Sequence, residues 1–309
     1  MTRFHIVHRT EYRYSAPVKF GIHRLVLRPR EGHRTTVLQH QLALTPKARF
    51  FWMNDLYGNH VALAEIEEES DRLEIVSEVK MDVVDALSDE APMEGSRCSM
   101  VALPVVYPLI ETAVVDGYLK LTYPDESEAV RGWVNEVLRV SPAASAMGAV
   151  VQINQAIHSG TGYRRREEAG VQSPSQTLSL RTGSCRDMAT LMMEACRTLG
   201  IAARFTSGYL DTRASTAGHG ATHAWIEVYL PDCGWCGFDP TLGEQVSSKH
   251  IALGASAHPR GVMPVSGIFS GPPGSYAGMK VSVLIQREVL GTAQELKPSE
   301  VPAPAGVVS

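Results

Sequence analysis

Through the first quarter of the chain, apolar and polar residues alternate with period two. The clearest run is Leu73, Ile75, Ser77, Val79, Met81 and Val83, with Glu74, Glu78, Lys80 and Asp82 between them. Such a run describes a strand with one face on a core and the other in water. Similar alternation covers residues 4–14, 22–27, 37–44 and 61–66, and the polar segment from Asn54 to Asn59 reads as a hairpin connection around Gly58. Several short strands with no helical stretch among them predict an N-terminal β-sandwich over residues 1–90. Pro92, Gly95, Pro104 and Pro108 then mark 91–108 as a linker.

Beyond the linker the period lengthens. From Glu126 to Val140, residues Val130, Trp133, Val134, Val137 and Leu138 share one helical face, with Asp125 as the N-cap, and the helical pattern returns from Ala144 to His158. Met188, Leu191, Met192, Ala195, Cys196 and Leu199 form a third apolar stripe, stopped by Gly200. Strands follow at 201–210, 223–230 and 235–239, and a late strand carries Met279, Val281, Val283 and Ile285. Helices followed by antiparallel strands predict an α+β domain over 109–290. The stretch 291–309, rich in Pro, Ala and Val without periodicity, reads as a flexible tail.

Composition narrows the function classes. The chain has 309 residues and a formal net charge of −4, so nothing favours nucleic acid or an anionic membrane surface as a partner. The charged N-terminus lacks a signal-peptide core, and no apolar run approaches membrane-spanning length, which makes the cytoplasm the expected location. Five cysteines at 98, 185, 196, 233 and 236 are an odd, sparse set, better suited to reduced thiols than to a disulfide framework. The sequence carries no signal for oligomeric state.

The chemistry centres on Cys185, which stands where a Gly-containing turn meets the third helix. Free N–H groups and the positive dipole end of a first helical turn favour a thiolate there. A nucleophilic thiol needs a base, and the base needs an acceptor that fixes its tautomer. His223 opens one strand and Asp239 closes the next, so a hairpin through Pro231–Gly234 brings them side by side; Pro240 biases Asp239 toward an extended backbone. Taken singly, each also has a structural reading: a buried cysteine, a half-exposed histidine, a turn-forming aspartate. Cys233 and Cys236 form a Cys-x-x-Cys pair, the signature of redox or zinc chemistry, but they sit in a hairpin turn with no second pair. His219 and His223 have helical metal-pair spacing, but Gly218 and Gly220 oppose a helix there.

These residues reach a known family. Gly183-Ser184-Cys185-Arg186-Asp187-Met188-Ala189, then the run from Arg197 to Arg204, then His223-Ala224-Trp225-Ile226-Glu227-Val228-Tyr229-Leu230-Pro231, then Gly234-Trp235-Cys236-Gly237-Phe238-Asp239-Pro240-Thr241 closely resemble the transglutaminase-like core. The alternating first region resembles the β-rich N-terminal domain that accompanies this core in bacterial proteins. The resemblance implies a papain-like α+β core with Cys185 as nucleophile, His223 as general base and acid, and Asp239 as the orienter of His223. It implies acyl transfer on a peptide or glutamine-type amide through a thioester, with hydrolysis favoured over transamidation, acting on a peptide or protein substrate and needing neither cofactor nor metal. For the oxyanion, the Cys185 N–H is one expected donor; Tyr163 ranks first for the second, with Gln172 and Gln176 as closer amides. Trp225 is expected to wall the site, and Asp187 to cap the helix. The segment from Gly254 to Pro264 departs from the family pattern, which places substrate specificity in question. Two other readings stand beside this one: a non-enzymatic interaction scaffold, and a redox or zinc protein using Cys233 and Cys236.

Overall fold

The computed structural model describes residues 1–84, 100–140, 143–166, 168, 170–218 and 220–290. The expected tail, half of the expected linker with Cys98, and His219 lie outside these residues. The alternating first region folds as β1 (Thr2–Phe20), β2 (His23–Leu25), β3 (Thr35–Thr45), β4 (Ala48–Asn54), β5 (His60–Ile66) and β6 (Ser70–Val83). Only β4 had no expected counterpart. Its Phe51, Trp52 and Met53 are consecutive and exposed, so no alternation marks it.

Helices follow: α1 (Leu109–Leu119), α2 (Ser127–Val140) and α3 (Ala146–Gly160). The N-cap expected at Asp125 is not used, because Pro124–Glu126 form a 3-10 turn ahead of α2. Next come β7 (Gly162–Tyr163), α4 (Pro174–Leu180), β8 (Thr182–Gly183), α5 (Cys185–Thr198), β9 (Ala202–Leu210), α6 (Arg213–Thr216), β10 (Thr222–Leu230) and β11 (Gly234–Asp239). The described chain closes with β12 (Glu244–Gln245), β13 (His250–Ser256), β14 (Val265–Ser266), β15 (Phe269–Ser270) and β16 (Tyr276–Val289).

Three antiparallel sheets carry the structure. β1 runs between β6 and β16, with β3 outside β6 and β15 at the far end of β1; β14, β2, β5 and β4 form a second sheet. Their apolar faces meet in one cluster that joins Phe4, Ile6, Ile75 and Met81 to Leu25, Ala62, Ala64 and Ile66. The expectation grouped the strand around Met279–Ile285 with the 109–290 region. Its pairing is instead with β1, from Thr2↔Val289 to Tyr14↔Tyr276, because Val283 and Ile285 are needed to finish the N-terminal core.

The third sheet has the order β12-β11-β10-β9-β13. Ala203, Phe205, Ala224, Ile226 and Val228 face the helices, while Tyr209, Ile251 and Leu253 join the core of the strand-rich region. The sheet is thus covered on both sides. α5 lies beneath it, against α2, α3 and α4, and is buried nearly all round rather than along one stripe. The polar positions that this burial encloses are paired: Arg197 Nη1 donates to Glu194 Oε1 at 3.1 Å and Nη2 to the Ala257 carbonyl at 2.7 Å, and the Glu194 carboxylate accepts the Thr122 and Tyr123 N–H groups. Gly200, at φ +73°, ends the helix turn in the left-handed region that favours glycine. No helix among the described residues is long and apolar enough to cross a membrane.

Candidate active site

Cys185 is the first residue of α5 and is 8% exposed. Its position is held by Asp187, two residues on. The fully buried Asp187 carboxylate accepts the Ser184 N–H and hydroxyl on Oδ2, each at 2.8 Å, and the Gln172 N–H (2.7 Å) and Arg166 Nη1 (2.8 Å) on Oδ1. Burial alone would raise its proton affinity, but these four donors outweigh burial and hold it below the usual carboxylate range. Asp187 therefore does more than cap a helix. It ties Arg166 and Gln172 to the turn that presents the thiol.

β10 and β11 supply the partners. Ile226 pairs with Phe238, so Asp239 lies just past the last pair, at the end toward His223. His223 Nε2 meets Asp239 Oδ2 at 2.6 Å, and the Cys185 side chain is the other hydrogen-bonding neighbour of the ring. Burial favours the neutral ring, yet the Asp239 and Cys185 contacts outweigh it and raise the His223 pKa to about 10. The juxtaposition read from the sequence is thus present in the fold. It depends on Gly208, which faces His223 across the β9–β10 ladder: a Cβ there would lie 2.1 Å from the Ile251 carbonyl and 2.5 Å from the Trp225 ring.

One residue at this centre escaped the sequence reading. His250, at the start of β13, donates from Nε2 to Asp239 Oδ2 at 3.1 Å, while its Nδ1 accepts the Ser247 N–H at 3.2 Å. That second bond fixes the tautomer that can donate. With the Thr241 N–H on Oδ1 at 2.8 Å, the buried Asp239 carboxylate has three donors. Burial would raise its pKa, but the His223 and His250 hydrogen bonds dominate and drive it far below the ordinary value. The only sequence signal for His250 was a histidine followed by apolar Ile251, Ala252 and Leu253, too short a run to mark a strand.

His223, Asp239 and His250 also place three ligand-type atoms within 4.8 Å of one another. A zinc ion with bonds of about 2.0–2.1 Å in tetrahedral geometry separates its ligand atoms by about 3.3 Å. The 2.6 Å contact of His223 with Asp239 is a hydrogen-bond distance instead.

Tyr163 is 60% exposed and reaches the site through a two-strand parallel pairing, Tyr163↔Gly183. Burial, then the nearby Cys185, raise its hydroxyl pKa, with Arg165 and Arg186 acting in the opposite direction. The two glutamines are engaged elsewhere: Gln176 Oε1 accepts the Ser173 N–H in the cap of α4, and Gln172 Oε1 accepts the Thr177 hydroxyl. Trp225, expected to wall the site, is 1% exposed. It packs edge-on against His250 at 5.3 Å between ring centroids, so it supports the histidines from inside. The divergent segment starts in the interior, where the Ala255 N–H and carbonyl both bond the Asn59 side chain at 2.9 Å and join it to the strand-rich region, while its later residues His258, Arg260 and Met263 are exposed.

The cysteine expectations need correction. Cys233 is disulfide-bonded, whereas Cys185, Cys196 and Cys236 are free. The five thiols are therefore not all reduced, and Cys233 and Cys236 do not act as a matched redox or ligand pair.

Comparison with known proteins follows the same division of the chain. Residues 4–82 match the bacterial transglutaminase-like N-terminal region, and residues 132–240 match the transglutaminase-like superfamily. An uncharacterized protein of Mycobacterium tuberculosis is 29% identical over 283 residues, covering 86% of this chain and 87% of the relative. One of Mycobacterium leprae is 27% identical over 276 residues, covering 88% and 94%. The protein-glutamine gamma-glutamyltransferase of Pseudomonas aeruginosa is 35% identical over 80 residues, which is 24% of this chain and 12% of that protein. The crystal structure of a candidate cysteine protease from Cytophaga hutchinsonii aligns with a TM-score of 0.69 at 18% identity, over 94% of this chain and 91% of that one, so the two share a fold along almost their whole length.

Proposed function

Because the chain carries a transglutaminase-like core behind a bacterial transglutaminase-like N-terminal region, we propose that it is a cysteine-dependent acyl-transfer enzyme acting on a carboxamide or peptide bond of a peptide or protein substrate. The observation that carries this reading is the buried contact of His223 with Asp239 at 2.6 Å, with Cys185 on the same ring. His223 holds the proton lost from the Cys185 thiol, Sγ attacks the carbonyl carbon to form the C–S bond, and the carbonyl π pair moves onto the oxygen. The Cys185 N–H, in a first helical turn where no intrahelical acceptor exists, faces that oxyanion, and the Tyr163 hydroxyl is the proposed second donor. The intermediate collapses by breaking the C–N bond, and His223 gives its proton to the departing amine. A thioester remains. Water or an amine then attacks it, with His223 as the base, and Cys185 leaves as thiolate.

Water is the proposed main acceptor, with transamidation as the second outcome. The similarity to a protein-glutamine gamma-glutamyltransferase over 80 residues supports keeping both. A disulfide at Cys233 suits an oxidising compartment better than a reducing cytosol, so a cytoplasmic location is not carried into the proposal.

The test is to incubate wild type, Cys185→Ala and His223→Ala with a glutamine-containing protein donor and a primary amine probe, following ammonia release and amine incorporation. Ammonia release that disappears in both variants is expected. Turnover that survives in Cys185→Ala overturns the proposal, and amine incorporation matching ammonia release replaces hydrolysis with transamidation.

A further inference from the structure

Away from the thiol, at the turn end of the β10–β11 hairpin, lies a cleft of about 300 Å³ bounded by α1. Its walls are aromatic. Tyr229 and Trp235 face each other across the hairpin. Tyr118 meets the Trp235 indole edge-on at 4.9 Å, and the Tyr229 ring lies 5.4 Å from the same indole. Ile110 and Val114, largely exposed, form an apolar rim.

Among these apolar groups sits one carboxylate. Glu111 Oε1 accepts the Tyr229 hydroxyl at 2.6 Å, but Oε2 is shielded from water and has no hydrogen-bond partner. No basic side chain among the described residues pairs with it. A buried carboxylate oxygen without a donor is costly, and a cation entering the cleft removes that cost. Trp235 already shows that its ring takes a cation: the Arg204 guanidinium lies 3.9 Å from its centroid, with that charge tied to Glu227 at 2.6 Å. Among the described residues Glu111 has no such counter-ion.

The geometry points to a binding site for an alkylammonium group at Glu111, with the ammonium donating to the carboxylate as the side chain turns Oε2 out of its shielded position, the rings of Tyr118, Tyr229 and Trp235 lining the cleft beside the charge, and an apolar stem against Ile110 and Val114. The combination of π faces and one carboxylate selects a cation over a neutral group of the same shape. The alkylammonium comes either from a free amine or from a lysine side chain of a polypeptide.

The full-length protein is titrated with n-butylammonium, with 1-butanol as the neutral match, and with N-acetyl-lysine-N-methylamide. Binding is read from the Trp235 indole N–H resonance, assigned through Trp235→Phe. Butylammonium binding in the millimolar range, roughly 10-fold tighter than 1-butanol, is expected. Glu111→Gln removes that preference while leaving 1-butanol binding unchanged, and Tyr118→Leu weakens butylammonium binding with Glu111 intact; thermal unfolding of both variants checks that they fold. A lysine derivative that binds much more tightly than butylammonium identifies a polypeptide source, and equal affinities identify a free amine. Equal affinity for butylammonium and 1-butanol, or a preference that persists in Glu111→Gln, overturns the site.

Discussion

The substitution Asp239→Asn tests the physical core of the site directly. In the native protein the His223 ring stays protonated to about pH 10 instead of near 6.5, which corresponds to about 5 kcal/mol of preference for the charged form. Burial opposes that preference, so it rests on Asp239 and Cys185. An amide in place of the carboxylate removes the charge that the 2.6 Å contact supplies. The expected result is a His223 titration near or below 6.5, with Cys185 alone opposing burial. Stability follows the same linkage. A raised histidine pKa contributes fully below pH 6.5, and the contribution is lost as pH rises from 6.5 toward 10. The depressed Asp239 pKa contributes above about pH 4 and is lost as pH falls further. Breaking a buried pair costs roughly 3–5 kcal/mol near neutrality, and the variant loses the decline in stability between pH 6.5 and 10. Ring resonances of His223 followed by NMR, with urea unfolding at pH 6 and pH 10, measure both effects. A variant whose His223 still titrates near 10 refutes the assignment of Asp239 as the group that holds the imidazolium.

His250→Phe keeps a ring beside Trp225 but removes a donor from Asp239; a loss of roughly 1.5–3 kcal/mol in unfolding free energy is expected, with a shifted pH profile for iodoacetamide alkylation of Cys185. His250→Gln, which can donate again, recovers part of the profile, and superimposable profiles for wild type and His250→Phe count against a positioning role. Asp187→Asn removes the charge from the carboxylate that joins Arg166 to the Ser184 turn. Urea unfolding should show a loss of roughly 3–5 kcal/mol, together with faster proteolysis between residues 160 and 173; a protein as stable as wild type would show that Asp187 does not hold the loop. Burial lowers the His8 pKa to about 4, so the neutral ring stabilises above pH 6.5 and up to about 3 kcal/mol is lost as pH falls toward 4. His8→Gln should flatten the stability curve over that window, and an unchanged curve assigns the acid sensitivity elsewhere.

The strands and helices with regular periodicity were legible because one face of each is apolar. Leu73, Ile75, Val79 and Met81 all point into the core as their spacing implies. Cys185, His223 and Asp239 were legible because each stands at the end of an element, where a side chain can leave its own sheet or helix and meet another. His250 was not legible, since its role comes from β13 pairing with β9 beside β10, an adjacency that local pattern does not carry. Trp225 misled for the opposite reason. Alternation put it on the more polar face of its strand, and there the ring lies across Gly208 against His250 of the same sheet, which leaves it interior. The third helix read as amphipathic because Thr190, Glu194 and Arg197 are polar, yet they are buried with partners.

The position of His223 also depends on residues far from it in sequence. The chain enters β10 past Gly220, which exchanges two backbone hydrogen bonds with Val283 of β16, at 3.1 and 2.9 Å. A Cβ at Gly220 would lie 2.7 Å from Ser215 Cβ and 2.8 Å from the Val283 carbonyl oxygen, so α6 and β16 grip this segment without slack. Arg287 of β16 also reaches Asp211 at 3.2 Å, and His8 of β1 meets the Tyr209 hydroxyl at 2.9 Å. β16 is in turn paired with β1 along thirteen residues of the N-terminal strand, from Thr2 to Tyr14. The three residues of the proposed chemistry all lie within the core match at 132–240, but the strand that steadies the approach to His223 lies beyond it and is itself completed by the first strand of the chain. The strand-rich region is therefore part of the mounting of the histidine, and a fragment limited to 132–240 lacks the contacts that fix where the imidazole stands.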